Sequence, residues 1–201
     1  MIRRRCRWRG ILAGMKRLIS AALVISSCVA VALSLGACSS PIPNRVPLGE
    51  PFPSLTASAL DEVEGTAPVN IPEDFAGEPL LLLVGYVQDS QFDIDRWLFG
   101  ILDAGLDVAL REVPAARGMA ASLASGFIDG GMRRGIPKGE WGAVVTTYGK
   151  TADKIARVTG TERPRNARVL LLDREGLIRW FHDGGYSAGT LIELRSVLGA
   201  L

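Results

Sequence analysis

Cysteine is nearly missing from this chain. The three that occur, Cys6, Cys28 and Cys38, lie within the first 38 residues, and none follows through to Leu201. Whatever folds after residue 38 therefore has no internal disulfide and no thiolate nucleophile. Thiol–disulfide exchange and peroxide reduction, which need one, are excluded for it. Histidine is almost as scarce, with His182 alone. Zinc usually takes three or four ligands from His, Cys and carboxylate, so a zinc centre is not expected. A third lack concerns charge. The first 37 residues hold seven of the 23 basic residues and no acid, which leaves 16 basic against 21 acidic residues from Cys38 onward, a net of −5. No basic patch argues for nucleic acid there.

The front end is organised differently. Arg3, Arg4, Arg5, Arg7, Arg9, Lys16 and Arg17 precede an uncharged, largely apolar run from Leu18 to Leu35. A basic flank ahead of an apolar run is the build of a secretory signal, although the length alone would also suit a membrane-spanning helix. Met15-Lys16-Arg17 would make a second, compact start. Leu35-Gly36-Ala37-Cys38 resembles the bacterial lipoprotein signal, in which an aliphatic and two small residues precede the cysteine. The resemblance implies cleavage between Ala37 and Cys38 and acylation of Cys38. At about 0.8 kcal/mol per buried methylene, several acyl chains anchor firmly. The expected membrane partner is thus reached through a lipid, at the cell membrane or an outer membrane, with the domain outside the cytoplasm.

Three parts are expected: a signal over 1–37, a proline-rich tether over 38–53, and a domain over 54–201. Pro41, Pro43, Pro47, Pro51 and Pro53 favour an extended spacer. A docked strand around Phe52 to Thr56 is the alternative. The part after the signal, about 164 residues, is enough for one domain burying roughly 70% of its unfolded surface.

Within the domain, Leu80 to Val87 (LLLLVGYV) reads as a strand buried on both faces. Ser90 reads as the N-cap of a helix carrying Phe92, Trp97, Leu98, Ile101 and Leu102. Leu106 to Val113 alternates as a second strand. Residues 114–139 read as an insertion, a helix and then a glycine-rich loop ending at Pro137. Trp141 to Tyr148 is a third strand, and Thr151 to Val158 a short helix closed by Gly160. Val169 to Leu172 and Leu177 to Phe181 form a hairpin about Arg174-Glu175-Gly176, with glycine at the residue needing positive φ. Ser187 caps a last helix with Leu191, Leu194, Val197 and Leu198. This order predicts an α/β/α sandwich on a central, mostly parallel mixed sheet, closed by a C-terminal hairpin and helix.

The closing strand–turn–strand–helix resembles the end of thioredoxin-like folds, including the redoxin-related ones. Leu171-Leu172-Asp173-Arg174-Glu175-Gly176-Leu177-Ile178-Arg179-Trp180 is also similar to the hairpin of the mitochondrial ATP-synthase assembly factors with a redoxin-like domain. The resemblance implies a membrane-associated member without redox chemistry that acts by binding, as a chaperone or assembly factor. The bacterial-type anchor and the insertion depart from that family.

Ligands of open α/β sheets bind beyond the carboxyl ends of the strands. That rule makes Gln88, Asp89 and Ser90 candidate binding residues, at the spot where thioredoxins carry their paired cysteines; a plain helix cap is the alternative. Arg179, Trp180 and His182 are the candidates of the hairpin. Asp89, Asp93 and Asp95 lack calcium-loop spacing and read as solvated acids at a helix start. No catalytic residue, metal or cofactor is expected. The expected partner besides the membrane is an envelope protein. Two readings stay open beside binding: thiol-independent chemistry using Asp89, Arg179 or His182, and a structural envelope lipoprotein with no discrete site.

Overall fold

The computed structural model describes residues 40–61 and 68–201. The expectations for the signal and for acylation at Cys38 lie outside the described residues. The elements run β1 (Leu55–Ala59), β2 (Val69–Ile71), β3 (Leu80–Gly85), α1 (Gln91–Asp103), β4 (Ala109–Ala116), α2 (Met119–Leu123), α3 (Ser125–Gly135), β5 (Val145–Tyr148), α4 (Lys150–Thr159), β6 (Arg168–Leu172), β7 (Ile178–His182) and α5 (Ala188–Leu198). The strands make one sheet in the order β2-β1-β5-β4-β3-β6-β7.

The sheet is mixed as expected, but less parallel than the alternation of elements suggested. β3 and β4 are parallel, as are β4 and β5. β6 enters antiparallel to β3, and the β1 and β7 pairings are antiparallel too. The all-leucine start of β3 explains its central place. Leu80, Leu82 and Val84 face one core, with Ile155 of α4, while Leu81 and Leu83 face the other, with Ile94, Trp97 and Ile101 of α1 and Leu194 of α5. Helices therefore cover both faces, and each fully buried leucine contributes about 1.5–3 kcal/mol.

Several local expectations change. β3 stops at Gly85, because the chain folds at once into a 3-10 turn over Gln88–Ser90. Ser90 is not a side-chain cap: its backbone is already helical, and its hydroxyl donates back to the Val87 carbonyl at 2.6 Å. Phe92 and Leu102 point outward, 70% and 75% exposed. The third strand is only Val145–Tyr148, preceded by a 3-10 helix over Lys138–Ala143. The glycine-rich stretch is helical through Gly135. Each interior glycine costs about 1 kcal/mol relative to alanine. Tertiary bonds offset this: Tyr148 donates its hydroxyl to Asp129, and Arg133 Nε donates to the Leu60 carbonyl at 2.8 Å. At the C-terminus local rules hold. Gly176 has φ +80°, and Ser187 and Thr190 form a reciprocal capping box.

The proline-rich stretch lies against the domain from Ile42 onward. Ile42 and Thr161 exchange two hydrogen bonds, Ile42 N to Thr161 Oγ1 at 2.9 Å and Thr161 N to the Ile42 carbonyl at 2.8 Å. Farther along, Gly49 N donates to the Ile178 carbonyl, Ile178 N to the Glu50 carbonyl, and Phe52 N to the Gly176 carbonyl. The stretch thus covers the start of β7, an edge strand whose unpaired groups would otherwise be open. A chain with few backbone N–H groups of its own suits such an extended strap.

Candidate functional site

The parallel strands β3, β4 and β5 all end at one side of the sheet, where the turn after β3 presents Gln88 and Asp89 to solvent. Asp89 meets Arg165 at 3.3 Å, both groups well exposed, so the pair contributes little. Ser90 is buried beneath them, and a Cβ on Gly85 would fall 2.5 Å from its hydroxyl. Glycine in the strand is what lets the turn fold back this tightly.

The hairpin residues divide. Leu172 opposes Ile178 and Leu171 opposes Trp180, so Arg179 is the extra residue of a bulge. The bulge re-aims the strand: Ile178 faces the α4 core and Trp180 the α1 core. Arg179 turns to solvent and donates through Nε to Asp173. Trp180 stacks on His182 (5.8 Å, 17°), and Trp97 meets both edge-on at 5.9 Å. Tyr186 adds a third edge-on ring at 5.3 Å from Trp97. Such pairs add about 0.5–1.5 kcal/mol beyond burial. His182 Nε2 donates to the Gly185 carbonyl at 2.9 Å.

The six candidates therefore fall in three places. Gln88, Asp89 and Ser90 sit at the strand ends, Trp180 and His182 inside an aromatic cluster, and Arg179 on the bulge. The surface depression lined by Ile192, Arg195, Ser196, Gly199 and Ala200 includes none of them. Among the described residues, no group of three His, Cys, Asp or Glu side chains could hold a metal ion.

Asp93, expected as a solvated acid, is buried. Its two oxygens accept Ala167 N at 2.9 Å and Tyr186 N at 2.8 Å. It ties the start of α1 to the loop before β6 and to the loop after β7. Sequence order offers no signal for this, since the donors are backbone groups 74 and 93 residues away.

Three further groups, Arg168 and Glu112 buried and Tyr86 partly so, were not legible as site residues. Arg168 is fully buried at the head of β6. Its Nη1 donates to the carbonyls of Arg163 and Asn166, and its Nη2 to Asn44 Oδ1 at 3.2 Å. Its guanidinium lies 5.5 Å from the centre of the Tyr86 ring, and its Nε has no partner among the described residues. Burial holds its pKa below the usual arginine value, opposed by the charges of Tyr86 and Asp183. Burial likewise pushes Tyr86 up to about 12, against its 2.7 Å hydrogen bond with Thr159. Glu112 of β4 is pushed up to about 7, chiefly by burial, with the charges of Asp95 and Glu140 adding and a hydrogen bond from Gln91 opposing.

Asn44 also accepts Glu162 N at 2.9 Å and donates Nδ2 to Asp183 at 2.7 Å. Arg117 joins Asp153 at 2.9 Å and reaches Thr161 and the Ser40 carbonyl at 3.4 Å. Residues 40–44 thus close the loop 161–168 beside the strand ends with the chain's own backbone and side chains.

No family model matches this sequence, and no curated protein does. Solved structures do. A solution structure assigned as a protein disulfide isomerase, from Bacteroides thetaiotaomicron, is 18% identical, with a TM-score of 0.50 over 80% of this chain and 95% of that one. The exposed lipoprotein thioredoxin of Streptococcus pneumoniae is 12% identical, with a TM-score of 0.51 over 74% of this chain and all of that one. Identity this low speaks for architecture alone, and with the mixed sheet and its two helical layers it shows that the chain has the thioredoxin-like, redoxin-type fold.

Proposed function

We propose that this chain is a lipid-anchored, non-redox thioredoxin-like protein that acts by binding, as a chaperone or assembly factor for an envelope or membrane complex. One observation carries the reading. The turn after β3 holds Gln88, Asp89 and Ser90 and no thiol, and no cysteine occurs anywhere after Cys38. The hydroxyl of Ser90 is no substitute nucleophile, because it is buried and committed to the Val87 carbonyl. The fold remains while its usual chemistry has no atom to act with, which favours a scaffold.

The anchor is the acylated Cys38 behind Leu35-Gly36-Ala37. The contact residues are the exposed Gln88 and Asp89 at the strand ends and, at the other end of β6, the bulged Arg179. Ser90, Trp180 and His182 support it from within. Photo-crosslinkers at positions 88 and 179 of the full-length protein, in its native membranes, test this. A discrete protein adduct at either position is the expected result. Adducts at neither, together with disulfide-reductase or peroxidase activity in the Cys38→Ser protein, would sink the reading. The same substitution is expected to move the protein from the membrane to the soluble fraction.

A further inference from the structure

The insertion carries an apolar face that its own domain leaves uncovered. Met119, Leu123 and Phe127 are 80%, 84% and 80% exposed. They fall four residues apart, which is one face of a helix. The break between α2 and α3 at Ala124 leaves the hydrogen-bonded path nearly continuous, with Ala124 N on the Ala120 carbonyl and Ile128 N on the Ala124 carbonyl. The same outer face continues through Gly131 to Arg134, exposed, and Lys138 follows. Its acid, Asp129, is turned inward to Tyr148. An apolar stripe ending in cations is the pattern of a helix lying in a bilayer interface, its apolar side about 5–10 Å deep.

What covers this face is indicated by where the described chain begins. Ser40 is held by Arg117, two residues before Met119. Only Ser39 separates Ser40 from Cys38, a reach of about 7 Å when extended. Since the strap is docked from Ile42, it cannot hold the domain away from an anchor at Cys38. The outer face of α1 also exposes Phe92, Phe99 and Leu102, but among the described residues no such contact places it beside Ser40.

We propose that the outer face of α2 and α3, with Met119, Leu123 and Phe127 entering the interface and Arg134 and Lys138 meeting anionic headgroups, seats the domain directly on the lipid bilayer. This rests on the anchor at Cys38 proposed above. It makes the insertion a membrane-orienting device, which leaves the hairpin turn at the far end of the sheet to face away.

Full-length protein with an environment-sensitive fluorescent amino acid incorporated at position 123, which leaves Cys6, Cys28 and Cys38 unlabelled, tests it, in vesicles of phosphatidylethanolamine and phosphatidylglycerol at 3:1. The same amino acid at position 174, at the opposite end of β6, is the control. The expected result is a blue shift at position 123 and several-fold quenching by lipid-borne quenchers, with neither at 174. Adding Phe127→Glu and Met119→Glu, both at exposed positions, should abolish the quenching while the protein stays on the vesicles. A label at 123 that remains in water on vesicle-bound protein overturns this seating and leaves the anchor standing. Protein that does not bind vesicles, with or without Cys38, overturns both. A blue shift that follows protein concentration without lipid quenching means a second copy covers the face, and also overturns the proposal.

Discussion

The two ends of β6 bury opposite charges by different means. At its head, Arg168 bonds only to neutral oxygens, those of two backbone carbonyls and the Asn44 amide, and lies near the Tyr86 ring. At its tail, Asp173 is 6% exposed and accepts Glu175 N at 3.0 Å, Leu177 N at 2.8 Å and the Arg179 guanidinium. The tail is local, every donor lying within six residues. The head adds a long-range partner to two local carbonyls, with Asn44 124 residues away. A charge held locally defines a turn. A charge shared between nearby carbonyls and one distant side chain, Asn44, fastens separate parts of the chain, here the N-terminal strap to the loop before β6.

Breaking the head should therefore cost most. Arg168→Ala removes the packing on Tyr86 and leaves the Arg163, Asn166 and Asn44 oxygens without this donor. A loss of about 3–5 kcal/mol is expected, read as a shift of the urea midpoint at unchanged slope. Arg168→Met, which keeps the volume, should recover about half of it. If Met and Ala are equally destabilised, packing on Tyr86 is not part of what the head contributes.

Asp173→Ala should come next, at about 2–3 kcal/mol, because the charge-assisted bonds of the hairpin are lost. The pH dependence sharpens the contrast. Burial alone would raise the Asp173 pKa, but the hydrogen bonds from Leu177, Arg179 and Glu175 outweigh it and hold the group below its ordinary value. A carboxylate with a depressed folded pKa gives stability that is complete above its unfolded pKa, about 3.9. It is lost as pH falls through the lower folded value. Thermal melts of the wild type should therefore lose stability below about pH 4 more steeply than melts of Asp173→Asn. Parallel acid limbs would show that the turn does not depend on the charge.

Asn44→Ala isolates the strap. It removes the bonds to Arg168, Glu162 and Asp183 without touching the core, for an expected loss of about 1–2 kcal/mol. Hydrogen exchange should rise at the amides of Thr161 and Glu162 and stay unchanged at Leu177, where the tail is intact. Uniform acceleration at both ends would mean the two are one cooperative unit.

The tail was readable in the sequence and the head was not, for the same physical reason. Asp173, Gly176 and the Ser187–Thr190 box act within a few residues, where turn and cap chemistry operate, so the hairpin and the start of α5 could be placed from residue types alone. Trp180 was singled out, but the bulge that sends it into the α1 core depends on the pairing of β6 with β7. Arg168 stands just ahead of the apolar run that marks its strand, and Asn44 falls within the proline-rich stretch. Their roles appear only when the two segments meet. The glycines of α3 misled in the same way. Local propensity opposed the helix, and contacts from Tyr148 and Leu60 decided it. Ser90 had the composition of a cap and the position of a site residue, yet the tight turn against Gly85 committed its hydroxyl elsewhere.

Arg179→Ala should have the smallest effect on stability. Its side chain is 44% exposed, so solvent screens the pair with Asp173 and the loss should be about 0.2–1 kcal/mol. Its effect on the acid limb should be clearer. With one of the groups that depress the Asp173 pKa removed, the acid loss should still start near the unfolded pKa but be smaller and level off at higher pH than in the wild type. Two backbone donors remain, so the limb should still lie below that of an unassisted carboxylate. This variant also separates structure from recognition. If Arg179 serves only the hairpin, membrane crosslinking from position 88 should be unchanged in Arg179→Ala. If it touches the partner, the adduct should weaken several-fold while the melting temperature moves by only a few degrees.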